Sequence, residues 1–278
     1  MTRSWRQSRV RLPAVETPIN PNYIRGADKD WTLILLEPGA SRMAEKTLSE
    51  ALQDCTVRCQ NMQAPLTARL EAFANDVRKL SPDFADVVDR MIEHLKATGV
   101  GENAPKPGEP LPSFMMPDQK GRLQTLDDLI ANGPLVIAFH RGHWCPYCRI
   151  NAQALAAIYS EVKSLGSELV AITPESEHFN AELTAGGRDT FPILSDMDNG
   201  YALTLNLAFL VSDEKRRAMT AAGWDFSTFQ GNTHWTLPIP ATFIVGQDGL
   251  VKARFIDPDY RKRMDTAEIL TTLKRLAN

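Results

Sequence analysis

The residues His140-Arg141-Gly142-His143-Trp144-Cys145-Pro146-Tyr147-Cys148-Arg149 bring thiols, imidazoles and guanidinium groups into one short stretch. The stretch follows an apolar run that suits a buried strand, Leu135 to Phe139, and opens a helical run from Pro146 to Leu165. Cys145 then falls near the helix N-cap, with Pro146 at the first helical position. Unpaired backbone N–H groups and the positive dipole end favour thiolate over thiol there. A free thiol pKa of about 8.5 drops to roughly 3.5–7.5 in such settings. Cys148 lies one turn on, on the same face, and can attack an adduct on Cys145 to close a disulfide. The bases His140 and His143 and the cation Arg149 are close enough in sequence to assist proton movement or the thiolate.

Two other readings of the same residues stand beside this one. The cysteines could be inert buried thiols. Alternatively, His140, His143, Cys145 and Cys148 spell H-x2-H-x-C-x2-C, a possible Cys2His2 zinc set, although structural zinc sites usually draw ligands from two separated knuckles. With the Pro146 run helical, both histidines would have to fold back over its N-terminus. Neither a metal nor a cofactor is expected. The second cysteine pair, Cys55 and Cys59, shares one face of a helix but rarely reaches disulfide geometry at that spacing. It reads as two small apolar residues in a helix seam, with a regulatory or intersubunit thiol as the alternative.

The elements that must position the site follow from apolar periodicity. Ser113–Met116 and Arg122–Leu126 flank a turn at 118–121 and suggest a hairpin. Leu169 to Thr173 is a second buried strand, a helix covers Ser176 to Leu183, and Phe191 to Leu194 is a short strand. Ala241–Val245 and Leu250–Ile256 flank Gln247-Asp248-Gly249, a second hairpin. Thr266 to Leu276 closes with a helix. The order is a βαβ half followed by a ββα half, hence α/β. Between the halves, residues 207–237 are rich in aromatics. His234 and Trp235 there either roof the site or belong to an ordinary packed insertion.

Residues 43–100 read as a helical extension. Leu48, Leu52, Cys55, Cys59 and Met62, then Leu66, Leu70, Phe73, Val77 and Leu80, recur at helical spacing. After Ser81-Pro82 come Phe84, Val87, Val88, Met91, Ile92 and Leu95, with Gly99 as the stop. Such a stripe must be buried, against the following domain or against a second copy in a homodimer. A Pro/Gly-rich connection over 100–112 separates it from a domain at 105–278. Residues 1–42, Arg-rich at first and then broken by prolines, read as a disordered leader, or as translation from a start codon upstream of Met43. A targeting peptide is a further reading.

The 278 residues carry 31 Lys plus Arg against 34 Asp plus Glu, so no basic excess points to nucleic acid or an anionic membrane surface. No apolar run reaches the length of a span, and Leu33 to Leu36 is too short for a signal-peptide core. With no secretory signal, the cysteine pairs are expected in the reducing cytoplasm, where close pairs are more often redox-active than structural.

Four stretches resemble the thioredoxin-fold superfamily and, within it, the peroxiredoxin-like AhpC/TSA group. They are Gly108 to Gly121 (GEPLPSFMMPDQKG), Phe139 to Cys148 with its Trp-Cys-Pro-x-Cys, the pair AITPES (171–176) and FPILSDMD (191–198), and PATFIV (240–245) followed by Asp248-Gly249. The resemblance covers residues 105 to 277. It implies a thioredoxin-like fold, a central mixed sheet flanked by helices, with Cys145 as nucleophile and Cys148 as resolving thiol. It also implies reduction of hydroperoxides and recycling by a thioredoxin-type or small-thiol donor. Peroxiredoxins proper orient the peroxide with a Thr or Ser three residues before the reactive Cys and an Arg before the late strand. Here Gly142 and Pro240 occupy those positions, leaving His140, Arg141 and His143 as polar substitutes and Trp144 beside the thiol. Pro240 instead resembles the cis-proline that faces Cys-x-x-Cys in thioredoxins and disulfide reductases, which keeps a thiol–disulfide oxidoreductase in view. The alternative for Pro240 is a trans residue opening a strand.

Overall fold

A computed structural model describes residues 47–183, 191–221 and 224–277. The leader at 1–42 lies outside the described residues. The chain begins with three helices, α1 (Leu48–Gln60), α2 (Leu66–Leu80) and α3 (Pro82–Ala97). Thr47 and Glu50 form a capping box at the start of α1, each side chain satisfying the other's backbone N–H. Ser81 takes the N-cap position before Pro82, but its hydroxyl makes no cap bond. Gly99 stops α3 in the left-handed region, φ +67°.

The second part opens with a hairpin of β1 (Met115–Pro117) and β2 (Leu123–Thr125), then α4 (Leu126–Ile130) and β3 (Leu135–Phe139). The long helix α5 (Pro146–Ser164) crosses to β4 (Glu168–Thr173), and α6 (Glu177–Asn180) precedes β5 (Ile193–Ser195). α6 is a single turn, shorter than the helix expected over 176–183. An insertion follows: α7 (Gly200–Thr204), β6 (Ala208–Leu210), α8 (Asp213–Ala221), α9 (Phe226–Gln230) and β7 (Thr236–Pro238). The chain ends with β8 (Ala241–Val245), β9 (Val251–Ile256) and α10 (Thr266–Ala277).

The central sheet runs β5-β4-β3-β8-β9. β3 pairs parallel with β4, opposing Ile137 to Val170, and antiparallel with β8, opposing Val136 to Ile244. Each residue of β3 is at most 1% exposed, which explains its unbroken apolar run. The βαβ–ββα order wraps one mixed sheet with helices, the thioredoxin-like arrangement, with an N-terminal helical extension.

Of the two covers open to the helical stripe, the chain's own domain is the one found. α1 and α2 pack on α5, and α3 packs on α8. Leu66, Leu70, Phe73, Val77, Val88, Ile92 and Leu95 join the same core as the sheet. Phe73 meets Tyr147 of α5 edge to face, centroids 4.9 Å apart. The extension therefore bears on the helix that carries both cysteines.

Pro240 corrects one expectation. No peptide bond among the described residues is cis, so Pro240 follows a trans bond. Its neighbour explains this. Ile239 N–H donates to Leu207 O at 2.8 Å as the β6–β7 ladder ends, and Pro240 directly precedes β8. Pro240 is the residue that opens a strand, where a missing N–H costs no ladder bond.

Candidate active site

His140 extends the end of β3, its N–H donating to Ile172 O at 2.9 Å. The chain then turns at Gly142, φ +137°, and enters α5 with Cys145 as N-cap. A Cβ at position 142 would stand 2.5 Å from the Glu175 carboxyl and 2.6 Å from Trp144 Nε1. Glycine is therefore required twice, by φ and by space. The carboxyl of Glu175 takes the room that a family Thr side chain would need.

Cys145 and Cys148 are both 0% exposed, and neither is in a disulfide. Arg141 Nη2 lies 3.0 Å from Cys145 Sγ. The Arg141 backbone N–H points at Cys148 Sγ at 3.4 Å, and Arg263 Nη2 reaches the same sulfur at 3.6 Å. Arg141 itself is held by π faces, its guanidinium carbon 3.5 Å from the centre of Tyr260 and 5.2 Å from that of Trp144. Burial works against a charged Cys145. The Cys148 thiol, Arg141, Arg263 and the Cys148 N–H outweigh it and set its pKa well below the ordinary thiol value. Burial and the neighbouring Cys145 push Cys148 well above that value. The two sulfurs are thus driven apart into a thiolate and a thiol, the division that attack followed by resolution requires.

The histidines do not serve this pair as expected. His140 is fully buried, with Nε2 2.8 Å from Asn151 Nδ2. Burial and the Arg263 cation hold its pKa down to about 3, so the ring is neutral and spends its lone pair on Asn151. His143 turns the other way. Its Nδ1 is 2.8 Å from Glu175 Oε1, and its backbone N–H donates to Glu175 Oε2 at 2.7 Å. Its ring stacks on Phe179 with centroids 5.1 Å apart. Burial raises the Glu175 pKa, opposed by His143. This buried acid therefore anchors the loop just ahead of Cys145. Arg149 also points away and donates to Gln53 of α1 at 2.7 Å.

The zinc reading needs His140 and His143 to converge on the sulfurs. They turn instead to Asn151 and Glu175, while the sulfurs face arginines. Cys59 is buried and Cys55 half-buried, both as free thiols. Burial raises the pKa of each, which suits the helix-seam reading. His234 is exposed and does not roof the site. The aromatics that cover Trp144 are Trp224 and Phe226, at 5.2 and 4.6 Å between centroids, and Trp235 stands behind Phe226 at 4.7 Å.

Sequence reading missed Arg263, Tyr260, Glu175 and Lys215. Glu175 lies in the AITPES stretch, at a strand end beside the site. The others carry no local signal, because they arrive from elements far along the chain.

The thioredoxin-like sheet thus places a buried Cys-x-x-Cys dithiol at the N-terminus of its crossover helix, a setting that in general favours a thiolate. Residues 107–254 match the AhpC/TSA family, more than half of the chain, and the protein belongs to that family. It is 25% identical over 158 residues to 1-Cys peroxiredoxin PER1 of Hordeum vulgare, covering 54% of this chain and 64% of the relative. A probable 1-Cys peroxiredoxin of Bromus secalinus is 26% identical over 140 residues, covering 48% and 60% respectively. The chain thus spans less than two thirds of the length of these relatives. Among solved structures, peroxidoxin BcpB of Mycobacterium tuberculosis superposes with a TM-score of 0.48 at 20% identity, over 62% of this chain and 98% of that one. Peroxiredoxin 6 of Arenicola marina gives the same score and identity, over 61% and 72%. Among the described residues no helix is long and apolar enough to cross a membrane.

Proposed function

We propose that the chain is a thiol peroxidase that uses Cys145 as nucleophile and Cys148 as resolving thiol. The Cys145 thiolate attacks the terminal oxygen of a hydroperoxide. The S–O bond forms as the O–O bond breaks, and the alkoxide leaves and takes a proton from water. Cys145 becomes a sulfenic acid. Cys148 then attacks that sulfur, expels water and closes the disulfide. A thioredoxin-type or small-thiol donor returns two electrons and two protons. Arg141 is the group that stabilises both the thiolate and the negative charge developing on the peroxide oxygens. It supplies from the reactive loop the cation that relatives place before the late strand.

The observation that carries this reading is the 3.0 Å approach of Arg141 to a sulfur that is 0% exposed. A small hydroperoxide can reach such a sulfur through side-chain motion. The trans bond at Pro240 also removes the feature that favoured thiol–disulfide exchange. Rapid mixing of reduced protein with hydrogen peroxide, followed by Trp fluorescence, tests the proposal. The expected rate is orders of magnitude above that of a free thiol and is abolished by Cys145→Ser. In Cys148→Ser the first phase is expected to persist while the sulfenic acid accumulates. A free-thiol rate in the unsubstituted protein, with rapid reduction of a protein disulfide, would transfer the site to the oxidoreductase reading.

A further inference from the structure

A cavity of about 70 Å³ opens beside the reactive loop. Its floor is Arg141, Trp144, Pro146, Tyr147 and Tyr260. Its walls come from α2 and α3, and its roof is Lys215, Met219 and Trp224. One water needs about 10–15 Å³ on this measure, so the space admits a chain of several non-hydrogen atoms. Most of the lining is aliphatic or aromatic.

The charged residues that line it are all of one sign. Arg78, Arg141, Lys215 and Arg261 line the cavity and no acid does. Three of these cations are matched. Arg78 pairs with Asp86 and Asp89, Arg261 with Asp89 and Asp259, and Arg141 with the Cys145 sulfur. Lys215 is not matched. It is 2% exposed, its Nζ has no hydrogen-bond partner among the described residues, and it lies 3.7 Å from the centre of the Phe84 ring. Arg141 Nε and Trp144 Nε1, on two more lining residues, are also buried donors with no acceptor among the described residues. Buried ammonium groups are normally paired. Burial and then Arg141 lower the Lys215 pKa to about 7, opposed by Cys145.

We propose that this cavity is a substrate pocket that selects small hydroperoxides bearing a carboxylate on a short apolar body. The carboxylate pairs with Lys215, the body lies along the Phe84 and Trp224 rings, and the peroxide end faces the Arg141 guanidinium, whose Nη2 lies 3.0 Å from Cys145 Sγ. This rests on the peroxidase reading above. Attack by Cys145 breaks the O–O bond and releases the matching hydroxy acid, with the balance already given. The walls supplied by α2 and α3 make the N-terminal extension part of substrate selection.

Two measurements test it, on the full chain. The first compares kcat/KM for n-propyl hydroperoxide with that for hydroperoxypropionate, in which the terminal methyl is a carboxylate. The second is calorimetric binding of butyrate against butyramide to the reduced protein, which needs no turnover. The expected result is about tenfold or greater preference for the carboxylate in both, a change of about 1.4 kcal/mol. Lys215→Met should abolish that preference, and Lys215→Arg should largely retain it. Equal rates and equal binding in the unsubstituted protein would overturn the proposal, as would a preference unchanged in Lys215→Met. Lys215-dependent butyrate binding with no turnover of either peroxide would leave a carboxylate site and sink the peroxidase reading instead. Turnover of both peroxides without preference would do the reverse.

Discussion

Arg141→Met isolates the cation that holds the Cys145 thiolate. The side chain is 4% exposed, and its Nη2 lies 3.0 Å from the sulfur. A hydrogen bond to a charged group contributes about 1.5–3 kcal/mol. At about 1.36 kcal/mol per unit, that corresponds to a rise of about 1–2 units in the thiol pKa. The bare Coulomb figure, about 4 kcal/mol for unit charges 4 Å apart at an effective dielectric of about 20, is larger. It overstates the change, because Arg263 remains and the variant no longer buries a guanidinium. Titration of the thiolate absorbance against pH, in a Cys148→Ser background, reads the shift directly. The peroxide rate below the original midpoint should fall about 10- to 100-fold, in step with the thiolate fraction. Stability follows the same linkage. The native Cys145 pKa lies below the unfolded value, so the thiolate's contribution is complete above about 8.5 and is lost as pH falls through the native value. Arg141→Met should therefore cost most stability in alkaline solution and progressively less toward acid. A midpoint that stays put or falls would refute the role given to Arg141 and shift the weight to Arg263 and the helix end.

Two further outcomes test how the site is supported. Gly142→Thr, which restores the residue of peroxiredoxins proper, should lower rather than raise activity and cost about 2–5 kcal/mol in a urea midpoint, because Glu175 and Trp144 fill the space and the φ is strained. Phe73→Ala, 1% exposed in α2 and edge-on to Tyr147, should cost about 3–5 kcal/mol in thermal unfolding and also slow the peroxide reaction; normal kinetics in the folded variant would show that the extension does not support the site.

What the sequence determined was everything written along the chain in short periods. The unbroken apolar run Leu135 to Phe139 marked a strand buried on both faces, and it is β3. The spacing of Leu66, Leu70, Phe73 and Val77 marked a buried helix stripe, and Pro146 after Cys145 marked the start of α5. The dithiol and its placement at a helix N-terminus were legible for that reason. Proximity in sequence misled for His140 and His143, since residues three apart in a loop point to different partners, one to Asn151 and one to Glu175. Only the tertiary structure decided which charges surround the sulfurs. Arg263 and Tyr260 arrive more than a hundred residues after Cys145, and Lys215 comes from the insertion that folds over the loop. A thiol pKa depends on desolvation and on through-space charge, which no local period encodes. The position of the Cys145 sulfur was therefore fixed locally, whereas its ionisation, its access and the pocket nearby were set by packing.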